Sequence, residues 1–220
     1  MGEVICTVDV VLLTIEQEQL MVALSEREHV PFAGRLALPG GYVHAQDASV
    51  FDAAMRVMRA KTGFTPPYLE QLATFSGPQR DPRGWSLSVA HYALVPFEMI
   101  GPAAAGRLSL VPVAALPELP FDHGQIVSEA VARLRSKSHY SSLPCFLAGD
   151  VFTLPQLQRM YELLMGEALN KVSFRRKMGE MDMLEAVEGA FGAAGAHRPA
   201  QLYRLKEAYR ARVMTLERGL

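Results

Sequence analysis

The sequence predicts an α+β protein in two parts, a mixed sheet-and-helix body followed by a smaller helical unit that ends in a β-hairpin. Three observations carry this. The 220 residues suffice for one medium domain and one small one. The first half alternates β-branched apolar runs with a helix-period segment, whereas the last third opens on two capped helices. Charge divides the same way: residues 1–150 carry 11 Lys and Arg against 15 Asp and Glu, and residues 151–220 carry 11 against 8. A basic third on an acidic body points to nucleic acid at one end only.

Composition bounds the class further. With 50% hydrophobic and 20% charged residues, the chain has the mixture of a soluble globular protein. Cys6 and Cys145 lie far apart and match no metal-ligand spacing, so a reduced, cytoplasmic protein is expected. The apolar run Val8–Leu13 contains Asp9 and lacks a basic leader, so no signal peptide is expected. No stretch approaches the roughly 20 apolar residues that a bilayer span needs, and no membrane partner is expected.

The elements follow in order. Val4–Leu13 reads as a strand, Glu16–Gln19 as a polar turn and Leu20–Ser25 as a second strand, which together make a hairpin. Leu38-Pro39-Gly40-Gly41 then breaks the chain. From Ser49 to Lys61, apolar residues recur at helical spacing (Val50, Ala53, Ala54, Val57, Met58), and Gly63 stands where a helix stop belongs. Ser86–Val95 reads as a strand. Pro96–Pro120 holds five of the fourteen prolines and reads as loop-rich. Ile126–Leu134 reads as a helix.

The second part has another grammar. Thr153 and Gln156 form a capping box, with Phe152 and Leu157 at the staple positions. Leu157, Met160, Tyr161 and Leu164 give that helix one apolar stripe, and Gly166 closes it. Asn170 caps a second helix over about 171–180. Two short strands, Met183–Val187 and Gln201–Leu205, follow around a glycine-rich tip. Helix, tight turn, helix and hairpin are the outline of a winged helix-turn-helix. The expected boundaries are 1–137 for the first domain, 138–148 for a linker and 149–220 for the second domain.

Gly40-Gly41-Tyr42-Val43, Asp47, Ala53-Ala54-Met55-Arg56 and Thr62-Gly63-Phe64 resemble the Nudix signature, a loop–helix–loop whose glutamates hold Mg²⁺ against a diphosphate. Mg²⁺ is a hard cation that requires oxygen ligands, and its Lewis acidity drives the hydrolysis. Here Val57 stands where the family has the first helix glutamate, and Ala60-Lys61 replace the later pair. The spacing from Gly41 to Arg56 is also one residue longer than the family pattern. No catalytic residue, metal ligand or cofactor is therefore assigned. The competing reading is a hydrolase of ADP-ribose or NADH with an appended domain.

Wider blocks raise the resemblance. Leu36 to Val43, Lys61 to Phe64, Pro67 to Leu72, Arg80 to Ser86, Asn170 to Arg176 and Gly195 to Ala200 are similar to NrtR, the Nudix-related transcriptional regulators of NAD metabolism. The resemblance implies an α/β/α Nudix sandwich, a C-terminal winged helix and a homodimer on palindromic double-stranded DNA. It also implies repression of NAD synthesis or salvage genes, relieved by ADP-ribose or a related nucleotide.

Candidate contacts come from residue chemistry. Arg80 and Arg83, on a Pro/Gly turn, can present planar forks to a diphosphate, or simply form a solvated turn paired to Asp81. Trp85 either stacks on a base or packs at the loop edge. Arg35 precedes the Gly-Gly turn and is a further ligand candidate. His44 and His91 read as structural or surface residues. Lys171, Ser173, Arg175, Arg176 and Lys177 form a basic helix face without an acid, suited to a major groove or else merely solvated. His197 and Arg198 at the hairpin tip are placed to reach phosphate or minor groove.

Overall fold

The computed structural model describes residues 4–104, 106–192, 199–210 and 213–214. Two compact units divide the chain, Met1–Ala132 and Arg133–Leu220.

Among the described residues, the first unit is built on a seven-stranded mixed sheet. Strand β1 (Ile5–Glu16) turns back into β2 (Gln19–Glu26) through Gln17 and Glu18 alone. Both turn residues have positive φ, as a two-residue hairpin requires. Strand β3 (Leu36–Ala37) extends the sheet beyond β2, and β4 (Gly40–Tyr42) pairs with the start of β1. Strand β5 (Tyr68–Gly77) lies beyond β6 (Ser86–Leu94), which runs parallel to β1.

Helix α1 (Val50–Thr62) begins where Ser49 accepts the Asp52 amide and stops at Gly63, whose φ of 81° is left-handed. Its Ala53, Ala54, Val57 and Met58 pack with Val8, Val10 and Leu12 of β1. Alternate residues of a strand face opposite ways, so Asp9 projects from the other face. Helix α2 (Phe97–Ala104) follows β6 in the chain, and α3 (His123–Ser138) comes next among the α-helices. The first residue of α3, His123, meets Asp9 on that opposite face.

The proline-rich stretch departs from the loop expected of it. It contains α2 and an edge strand, β7 (Ser109–Pro112), paired to β2. Proline is tolerated at an edge because it removes no ladder bond, and Pro112 ends this one. Residues 138–148, expected as a linker, also differ. Leu143–Leu147 form a 3₁₀ turn whose side chains are all buried.

The second unit has the outline expected from its caps. β8 (Phe152–Thr153) leads into α4 (Leu154–Met165), and the Thr153–Gln156 capping box is complete. Gly166, with φ 74°, closes α4. Asn170 then caps α5 (Lys171–Glu180) by accepting both the Val172 and Ser173 amides. Strands β9 (Leu184–Gly192) and β10 (Ala200–Leu205) form the hairpin, with β8 on the far side of β10. A bulge between Gln201 and Tyr203 is bridged by the Gln201 amide, which donates to the Val187 and Ala190 carbonyls. Phe152, Leu157, Tyr161, Phe174 and Met178 form the core. Tyr161 packs edge-on against Phe174 at 5.5 Å and donates its hydroxyl to the Ser141 carbonyl. Burial pushes the neighbouring Cys145 thiol up to about 12, so it sits there as a small apolar group.

Candidate functional site: an arginine-lined cavity and a basic helix

The first unit holds a cavity of about 360 Å³ lined by Asp9, Arg27, Tyr42, Arg80, Arg83 and Phe121, among others. Its floor is a buried charge network. Asp9 accepts the Ser88 hydroxyl at 2.7 Å, lies 3.7 Å from Arg80, and faces His123 Nε2 at 3.5 Å. His123 Nδ1 accepts the Leu38 amide, which directs the ring proton at Nε2 toward Asp9. Burial alone would raise the Asp9 pKa, but His123, Ser88 and Arg80 outweigh it and hold the group below the ordinary carboxylate value. Gly40 is required beneath it, since a Cβ there would overlap the Asp9 carboxylate.

Arg80 and Arg83 both reach the cavity, but their forks are already occupied. Arg80 is 7% exposed and holds Asp122 through two bonds of 2.9 and 2.7 Å. Arg83 holds Asp81 in the same bidentate manner and also donates to the Tyr42 hydroxyl. Arg27, which no sequence signal singled out, is different. Its hydrogen bonds go to the Pro31 and His29 carbonyls, and its guanidinium lies 4.7 Å over the Phe121 ring. Arg83 approaches the same ring at 5.9 Å. Burial, then the like charge of Arg83, lowers the Arg27 pKa. Two guanidiniums near one aromatic ring make a place where an anion relieves repulsion.

The other two ligand candidates stand apart. Arg35 donates to the Glu118 carbonyl at 2.7 Å, and neither it nor Trp85 lines this cavity. The Nudix-box positions are also accounted for. Asp47 is clasped by Arg56 through two bonds, Asp52 accepts the Ser49 hydroxyl, and Lys61 Nζ lies 3.9 Å from Glu28 at the cavity wall. Asp9 had a signal, being the lone acid in an apolar strand. Arg27, Asp122 and Phe121 had none, because each meets its partners only through the fold.

In the second unit, α5 buries Phe174 and Met178 and exposes Lys171, Ser173, Arg175 and Arg176, with Lys177 half-buried. Among the described residues only Arg176 of these cations forms an ion pair, with Glu180 at 3.6 Å. His197 and Arg198 lie outside the described residues.

A Nudix unit carrying a cavity lined by arginines, carboxylates and aromatic rings, joined to a winged helix with a basic exposed helix, defines the class of ligand-sensing regulators. Residues 6–132 match the Nudix domain family, and residues 144–205 match the NrtR DNA-binding winged helix domain. An ADPR-responsive transcriptional repressor, NtrR, of Acinetobacter baylyi is 38% identical over 203 residues, 90% of this chain and 80% of that protein. Shewanella oneidensis NrtR in complex with a 27mer DNA aligns with a TM-score of 0.90 at 37% identity, covering 98% of this chain and 99% of that one. The NUDIX domain of the same Shewanella protein, solved with ADP ribose, aligns at 0.54 and 36% identity over 61% of this chain and 90% of that one. The chain belongs to the NrtR family of Nudix-domain transcriptional regulators.

Proposed function

We propose that the chain is a cytoplasmic, homodimeric repressor that binds palindromic operator DNA through α5 and releases it when ADP-ribose or a related nucleotide fills the first-unit cavity. The observation that carries this is the pair Arg27 and Arg83 beside Phe121, two guanidiniums and an aromatic ring in one pocket. A nucleoside diphosphate offers the matching parts, an anionic centre and a flat base. Lys171, Ser173, Arg175, Arg176 and Lys177 supply the DNA face.

The same unit binds without turnover in this reading. Val57, Ala60 and Lys61 occupy positions where a Nudix hydrolase needs carboxylates, and Lys61 adds a cation at the wall. Arg27, whose hydrogen bonds go to carbonyls and not to a carboxylate, then takes over charge neutralisation that a hydrolase assigns to metal. Genes of NAD synthesis or salvage are the proposed targets, on family grounds.

One experiment tests both halves. The full chain is mixed with duplexes from its own upstream region and titrated in turn with ADP-ribose, NAD and ATP in gel shifts, while ADP-ribose hydrolysis with Mg²⁺ or Mn²⁺ is followed in parallel. The expected outcome is a shifted band lost at saturating ADP-ribose, with no product above the buffer rate. Robust turnover, or a band indifferent to every nucleotide, overturns it.

A further inference from the structure

Helix α5 presents an apolar residue at the centre of its outward face. Val172 is 76% exposed, and Arg176, one turn on, is 75% exposed. Helical periodicity alone sets Ser173 and Arg176 outward with Val172 beside them. The structure sharpens this, because the buried pair Phe174 and Met178 puts the opposite crest along Val172 and Arg176. Ser173 and Arg175 fall on either flank.

A single exposed valine is ordinary on a protein surface. This one is set among Lys171, Arg175 and Arg176, which suit a polyanion, and its backbone is pinned by the Asn170 cap on its own amide. The apolar group that a duplex displays on a base edge in the major groove is the C5-methyl of thymine. We propose that Val172 is a specificity-determining residue that reads a thymine methyl, with Arg176 addressing a guanine nearby; this rests on the DNA-reading role assigned to α5. Helical rise sets the distance. Four residues at about 1.5 Å each separate the two side chains by about 6 Å along the axis, close to two steps of about 3.4 Å on the DNA. With α5 laid along the groove, the thymine and the guanine lie within about two base pairs of each other in each half-site.

The test is a methyl scan on the full-length protein. Each symmetric pair of thymines in the bound upstream duplex is replaced by deoxyuridine, which removes only the methyl, and affinity is read by fluorescence anisotropy. Replacing one such pair is expected to weaken wild-type binding by roughly fivefold or more, because the methyl is removed from both half-sites at once. Val172→Ala is expected to bind the unmodified duplex more weakly by a similar factor and to respond less than about twofold to the same replacement. Val172→Thr, which keeps the shape, controls for helix effects, and circular dichroism confirms that both variants fold. Specific binding with a flat scan, or Val172→Ala as methyl-sensitive as the wild type, overturns this inference alone. Absence of any sequence preference overturns the DNA-reading role and the inference with it.

Discussion

The arginines of the cavity and the cations of α5 are the same chemistry put to opposite use. Arg80 and Arg83 are clasped by Asp122 and Asp81, each through two hydrogen bonds, and their positions are set before any ligand arrives. Lys171 and Arg175 have no ion-pair partner among the described residues and extend into solvent from a helix anchored by Phe174 and Met178. The difference fits what the proposed function asks of each surface. A pocket that must discriminate a small anion benefits from fixed geometry, because ordering side chains on binding costs free energy. A surface that meets many phosphates in succession benefits from mobile charge whose attraction comes chiefly from counterion release.

The comparison breaks first at the buried pair. Asp122→Ala leaves the Arg80 guanidinium almost enclosed with the more distant Asp9, Asp81 and Ser86 beside it. Removing one partner of a buried ion pair costs about 3 kcal/mol, so the urea midpoint of the first unit should fall markedly. A change within error would show that Asp9 takes over the pairing.

Acid titration sharpens the same contrast. The Asp9 pKa is lowered in the folded state, so its contribution is fully present above the ordinary value of 3.8 and is lost as pH falls through the folded value. Asp9→Asn should flatten the loss of thermal stability below about pH 4 relative to the wild type, while lying below the wild type at pH 7. Parallel profiles for the two proteins would remove Asp9 from the network.

The smallest effect on stability belongs to α5. Lys171→Ala and Arg175→Ala should each shift stability by less than about 0.5 kcal/mol. Each should nevertheless weaken operator binding and reduce the slope of log affinity against log salt by about 1 for every phosphate no longer neutralised. An unchanged slope would place these residues away from the DNA backbone.

Legibility followed the range of the interactions. Ser49 with Gly63, Thr153 with Gln156, and Asn170 are local signals, and the helices they bound were readable within a residue or two. The stretch 96–120 misled because proline density suggests loop, whereas α2 and β7 form through tertiary pairing with no strong local pattern. The cavity was half legible. Arg80 and Arg83 announced themselves on a Pro/Gly turn, but the acid that fixes Arg80 lies 42 residues on. Arg27 looked like any charge at a strand end until β2 and the start of α3 set it over Phe121.

Trp85, the one tryptophan of the chain, lies outside the cavity wall yet only two residues from Arg83, whose fork lies inside it. Its backbone carbonyl is fixed by the Ile5 amide while its residue surface stays 46% exposed. The indole therefore sits on a boundary between protein and water, next to a loop that any ligand of Arg83 must touch. A ligand held by Arg83 is expected to change the wetting of that one ring, to be read as a shift of tryptophan emission with no label attached.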